Sequence, residues 1–95
     1  MNNKVKHGCT TLHMAAWKGN PEKVSELLEG GANVNVKDNF DQTPLIFASM
    51  KGELKVAQVL VDAGADLQAM NKWNNTALNL AKTEVAAFLR SKGAT

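Results

Sequence analysis

Cys9 is the only cysteine in the chain. No disulfide can close within it, and such thiol usage fits a reducing compartment, so the cytoplasm is the expected location. A charge excess is missing too: eleven basic side chains face nine acidic ones, a formal net charge of +2. That balance supplies no drive toward nucleic acid or a membrane surface, and neither is expected as a partner. No apolar run reaches the length of a signal-peptide core or a membrane span, and the start, Met1-Asn2-Asn3-Lys4, is polar. With 95 residues there is room for one domain, 1–95, and a small core.

Catalytic groupings are scarce as well. His7, Cys9 and His13 lie close in sequence, but no fourth zinc ligand at workable spacing accompanies them. Cys9 as a nucleophile would need a base and a group to orient that base, and the chain has two histidines. Gly30-Gly31 falls at the end of a helix rather than the start of one, so it cannot aim N–H groups at a phosphate. The expectation is a chain that is not an enzyme, with no cofactor and no metal. A small enzyme or metal site at His7, Cys9 and His13 is the competing reading.

What the chain does have is repetition. Thr10-Thr11-Leu12, Thr43-Pro44-Leu45 and Thr76-Ala77-Leu78 follow one another at steps of 33 residues. Ala15, Ala48 and Ala81 keep that step, as do Gly19 with Gly52, Leu27 with Leu60, and Gly31-Ala32 with Gly64-Ala65. In the middle copy Thr43 can cap a helix by accepting from a free N–H of its first turn. Pro44 then fits the first helical position, where its missing N–H costs nothing.

A 33-residue period carrying Thr-Pro-Leu-His-x-Ala and a following Gly-Ala resembles the ankyrin repeat. Gly8-Cys9-Thr10-Thr11-Leu12-His13-Met14-Ala15-Ala16 shows it most fully, continued by Gly19, Val24, Leu27-Leu28 and Gly31-Ala32. The resemblance spans about residues 5 to 94. It implies an all-α ankyrin repeat solenoid of helix-turn-helix repeats with β-hairpin finger loops, divided near 5–37, 38–70 and 71–95. Gly8, Asp41 and Asn74 fall at one turn position, and these are residue types that tolerate positive φ.

Helix A of the first repeat is expected from Thr11 to Trp17 or Lys18, ended by Gly19. Helix B follows with Asn20 as cap and Pro21 in the first position. In the second repeat the helices are expected over 44–50 and 54–62. Lys23 and Glu26 stand where the second copy has Val56 and Val59, which suits a first unit with no repeat in front of it. In the third unit the step from Leu60 to Leu89 is 29. The four lost residues are assigned to the turn between helices, with Thr83 capping a shortened helix B over 84–91. The polar Asn79, Lys82 and Arg90 mark a C-terminal cap.

Family resemblance implies a binding surface on the concave face, made by finger tips and the exposed side of the A helices. Finger positions are Lys6, His7 and Cys9, then Asn39, Phe40 and Gln42, then Lys72, Trp73 and Asn75. Helix positions are Trp17, Lys18, Met50 and Lys51, and the connections add Lys37 and Met70. Large apolar side chains interleaved with lysines mark a docking surface. The alternative is that Trp17 folds onto the helices while Phe40 and Trp73 staple neighbouring fingers.

Two motif residues have structural readings. The resemblance implies that His13 supports its own turn by hydrogen bonding near Thr10. Asn35 is either a site that an asparagine hydroxylase could modify, as in similar animal repeats, or a loop residue bonding its own backbone. The expected function is a monomeric, non-enzymatic module that binds a protein or peptide. The alternative is a structural end cap or self-assembling unit of a larger array.

Overall fold

In the computed structural model, residues 8–95 are described. The expectations for Lys6 and His7 lie outside them. Six helices follow in order: α1 (Thr11–Lys18), α2 (Pro21–Glu29), α3 (Pro44–Lys51), α4 (Leu54–Asp62), α5 (Ala77–Leu80) and α6 (Thr83–Ser91). They pair as α1 with α2, α3 with α4 and α5 with α6. One layer is built of α1, α3 and α5 side by side, the other of α2, α4 and α6.

The helix ends follow from local chemistry. Thr10, Thr43 and Thr76 each accept from the backbone N–H three residues on, satisfying one free donor of the first turn. Gly19 and Gly52 end α1 and α3 in the left-handed conformation, each with φ of 73°. Asn20 caps α2 through Lys23 N–H, and Pro21 takes the first helical position. Layer contact explains the small residues: Ala15, Ala16, Ala48 and Ala57 are all buried where helices meet. Leu60 is fully buried. Lys23 and Glu26 are exposed while Val56 and Val85, the later equivalents of Lys23, are buried, as a first unit with open space before it requires.

Two expectations for the third repeat are corrected. Helix α6 has nine residues, as α2 and α4 do, so helix B is not shortened. The loss falls in helix A: α5 has four residues where α1 and α3 have eight. The two-residue link between helices keeps its length. Ala81 turns extended, with ψ of 142°, and Lys82 takes over as the residue that leads into helix B. Lys82 is also the N-cap, without a side-chain cap bond, and Thr83 is the first helical residue rather than the cap.

The fingers are turns without a strand ladder among the described residues. The second is closed by Asp38 N–H to Gln42 C=O at 3.0 Å and Asp41 N–H to Asp38 C=O at 3.1 Å, the third by Asn71 N–H to Asn75 C=O and Asn74 N–H to Asn71 C=O, both at 3.0 Å. Gly8, Asp41 and Asn74 have φ of 78°, 61° and 63°, so the three residues share one left-handed backbone geometry.

Candidate functional site

The fingers are organised from inside by two buried residues 33 apart, Asp38 and Asn71. Asp38 Oδ1 accepts from Phe40 N–H (2.9 Å) and Gln42 N–H (2.8 Å). Asn71 Oδ1 accepts from Trp73 N–H (2.9 Å) and Asn75 N–H (3.1 Å). One short side chain therefore fixes each tip, as Asx turns do. Their second polar atoms reach the preceding finger. Asp38 Oδ2 accepts from the Cys9 thiol at 3.7 Å, and Asn71 Nδ2 donates to Gln42 Oε1 at 3.1 Å. The partners are matched: an acceptor in the second finger meets a thiol donor, and a donor in the third meets an amide oxygen.

Cys9 is thus not the exposed finger residue that its position suggested. It is buried, and its pKa is raised by that burial and by the charge and hydrogen bond of Asp38. Held as the thiol, it lacks the thiolate character that reactivity needs.

His13 anchors the same junction. Its Nδ1 accepts from Thr10 N–H at 3.0 Å, which supports its own turn as expected. That bond places the proton on Nε2, which donates to Gln42 C=O at 2.7 Å in the next repeat. Burial lowers the His13 pKa, against opposing contributions from the Gln42 carbonyl, the Asp38 charge and the Val36 carbonyl. The neutral ring is the form this geometry uses. Asn79 closes an equivalent capping box on Thr76 without the second bond.

The tips also join. Phe40 and Trp73 stack with centroids 5.4 Å apart and planes 26° from parallel. Lys72 N–H donates to Phe40 C=O at 2.9 Å, and Lys72 Nζ lies 4.0 Å from the Asp41 carboxylate. The carboxamide of Asn39 lies against Gly8. Stapling and exposure coexist, because Trp73 is 61 % exposed while stacked.

On the A helices Trp17 meets Phe47 edge-on at 5.7 Å, and Phe47 also meets the His13 ring at 5.1 Å. Lys51 Nζ sits 4.9 Å above the Trp17 ring, within cation–π range. Met14, Trp17, Gln42, Phe47 and Met50 line a shallow groove of about 260 Å³. Of the residues expected at the surface, Trp17, Gln42, Met50 and Lys51 come together here, and Phe40, Lys72 and Trp73 form the stapled tips. Lys18, Lys37, Asn39 and Met70 are exposed, and Asn75 is half-buried. Nothing joins Lys18, Lys37 or Met70 to either cluster.

Sequence reasoning missed Met14 and Phe47. The signal was their spacing: Met14 and Trp17 lie three apart on α1, and Phe47 and Met50 hold the same positions on α3. Asn35 was misread. Its Oδ1 accepts from Asp66 N–H at 2.7 Å, in the next connection, not from its own backbone.

Comparison with known proteins agrees with this architecture. Residues 12–95 match the family described as "Ankyrin repeats (3 copies)". Protein phosphatase 1 regulatory subunit 12A of Mus musculus is 37% identical over 85 residues, covering 90% of this chain and 8% of that protein. The ankyrin repeat and LEM domain-containing protein 1 homolog of Caenorhabditis elegans is 39% identical over 83 residues, covering 84% of this chain and 12% of that protein. Palmitoyltransferase AKR1 of Candida albicans is 37% identical over 73 residues, covering 77% of this chain and 9% of that protein. The chain spans about a tenth of the length of these relatives. Repeating helix pairs, threonine caps, left-handed finger turns and the family match agree: the chain belongs to the ankyrin repeat family.

Proposed function

We propose that this chain is a monomeric protein-binding module whose ligand lies on the concave face of fingers and A helices. Ankyrin repeats generally mediate protein–protein interaction and are generally non-catalytic. One relative is named as a regulatory subunit, which fits a binding role. The observation that carries the reading is where the exposed large hydrophobics fall. Among the described residues they are Trp17 on an A helix, Trp73 at a finger tip and Met70 on the connection that leads to that finger. Clustered aromatic and methionine surface is enriched where partners dock. The contacting set is Trp17, Lys18, Lys37, Asn39, Phe40, Gln42, Met50, Lys51, Met70, Lys72, Trp73 and Asn75.

Trp73 is the anchor. It is backed by Phe40 on one face, so its ring is held in place before any partner arrives, which lowers the ordering cost of binding. The test is capture of partners from a cell lysate with wild type and Trp73→Ala, beside melting curves of both. The variant should lose about 2 kcal/mol or more of binding. Its stability should fall by about 1 kcal/mol, the size of one exposed aromatic pair. If the variant unfolds while partner capture by the folded fraction is unchanged, Trp73 is a core staple and not a docking residue. Light scattering at micromolar concentration should give a monomer; a concentration-dependent oligomer would favour self-assembly.

A further inference from the structure

The shortened helix α5 changes what the A-helix surface offers. In α1 and α3 the last turn carries Trp17-Lys18 and Met50-Lys51. Helix α5 ends at Leu80, a turn earlier, so the third repeat has no counterpart of these residues. The groove between Trp17 and Met50 is therefore not continued along the stack. It is a single seat, with Phe47 as its nearly buried floor, Trp17 as one wall and Met14 and Met50 as flexible edges. Its volume of about 260 Å³ lies below the 300–1,000 Å³ typical of small-molecule sites, and so suits one side chain of a larger partner.

Charge says which partner. Lys51 stands at the rim over the Trp17 ring, and among the described residues no carboxylate pairs with it. The exposed charges of the A helices, fingers and their connections are Lys18, Lys37, Lys51 and Lys72; of the acids nearby, Asp41 lies against Lys72, and the half-buried Glu53 has its carboxylate against Gly19 at the end of α1. The opposite layer exposes both signs in equal number, Glu22, Glu26, Glu29, Asp62 and Glu84 with Lys23, Lys55, Lys82, Arg90 and Lys92. An acidic segment is thus drawn to the finger and A-helix side, where the exposed charge is of one sign, and finds no such excess on the balanced opposite layer.

We infer that the groove of Met14, Trp17, Gln42, Phe47 and Met50 seats one aliphatic side chain of an acidic protein segment, with a neighbouring carboxylate of that segment on Lys51. This rests on the concave-face reading and adds the chemistry of its ligand. The aliphatic group covers Phe47 and the methionines, whose thioethers adapt to its shape. The carboxylate completes Lys51, already desolvated on its Trp17 side.

The experiment uses the full chain with methyl-labelled methionine. Met14 and Met50 report on the groove, and Met70 reports elsewhere on the proposed face. Three capped pentapeptides serve as probes: leucine between two pairs of glutamates, glycine between the same glutamates, and leucine between two pairs of lysines. The first should shift the Met14 and Met50 methyls. The glycine peptide should bind at least about tenfold more weakly, and the lysine peptide weaker still. Lys51→Gln, an exposed position whose change leaves the fold intact, should weaken the first peptide severalfold and flatten its salt dependence. Equal binding of the lysine peptide, or indifference to Lys51→Gln, overturns the inference. A response of Met70 alone also overturns it, yet leaves the broader face standing. If no methyl responds to any peptide the seat is refuted, and the lysate comparison with Trp73→Ala decides the broader reading separately.

Discussion

The junction between the first two fingers and the junction between the last two occupy equivalent places but are built from different chemistry. The first is buried and contains titratable groups: Cys9 against Asp38, and His13 against the Gln42 carbonyl. The second uses neutral amides inside, Gln42 against Asn71, and puts aromatic stacking outside. One repeat geometry therefore tolerates a donor on either side of the junction, provided that an acceptor faces it. The first junction responds to protonation. The second responds to loss of apolar surface at its tips.

The largest effect should come from the core that carries both junctions, not from either junction. Leu60 is fully buried in the middle repeat. Leu60→Ala should cost about 2–5 kcal/mol, enough to unfold a domain with a small margin. A melting curve like that of wild type would show that the two junctions stand without a shared core.

Next is His13→Asn, which separates the junctions. Asparagine at the equivalent place in the third repeat, Asn79, closes the capping box, so the cap should survive. The Gln42 carbonyl loses its partner, at about 1–3 kcal/mol for a buried polar group. The pH dependence has a definite sign. His13 has its folded pKa below the ordinary imidazole value of 6.5, so its contribution is full above that value and is lost as pH falls below it. Wild type should lose melting temperature between neutral and mildly acid pH, and His13→Asn should lose less. Parallel curves would show that the ring is not the acid-sensitive group.

The smallest effect concerns α3, the helix between the junctions. Ser49 is fully buried, and its hydroxyl has no hydrogen-bond partner among the described residues. The equivalent residue of α1 is Ala16, also fully buried. Ser49→Ala should be neutral or stabilise by up to about 1 kcal/mol, since an unsatisfied buried hydroxyl is a cost. A clear loss of stability in chemical denaturation would mean that the hydroxyl has a partner in solution.

Local signals were legible in sequence because they are local. Caps at Thr10, Thr43 and Thr76 need only the next turn, and the left-handed positions at Gly8, Asp41 and Asn74 need only a tolerant residue. Long-range pairings were not legible. The buried Cys9 donates to a carboxylate 29 residues away, and Asn35 bonds a backbone 31 residues away. The missing four residues were counted correctly but placed wrongly. Periodicity counts residues and does not say which helix gives them up. The signal was available, because carrying the 29-residue step back from Leu89 puts Thr83 opposite Leu54, the first residue of α4. Of the candidate surface, the apolar finger tips followed from register. The groove floor did not, since Phe47 is nearly buried and reads as core.

A helix of four residues cannot persist on its own, because forming a first turn fixes several dihedrals for a single hydrogen bond. Helix α5 must therefore borrow its order from α3, against which it lies. Folding should then run outward from the first two repeats, with the third condensing last and reopening first. Amide hydrogens of 77–80 should exchange with solvent sooner than those of 44–51. The stacked Trp73, carried just ahead of α5, then sits at the most readily opened end of the chain while its partner Phe40 sits on the slow one. The aromatic pair spans a fast-exchanging and a slow-exchanging unit, and a ligand that grips both rings should slow exchange in α5 without touching that helix.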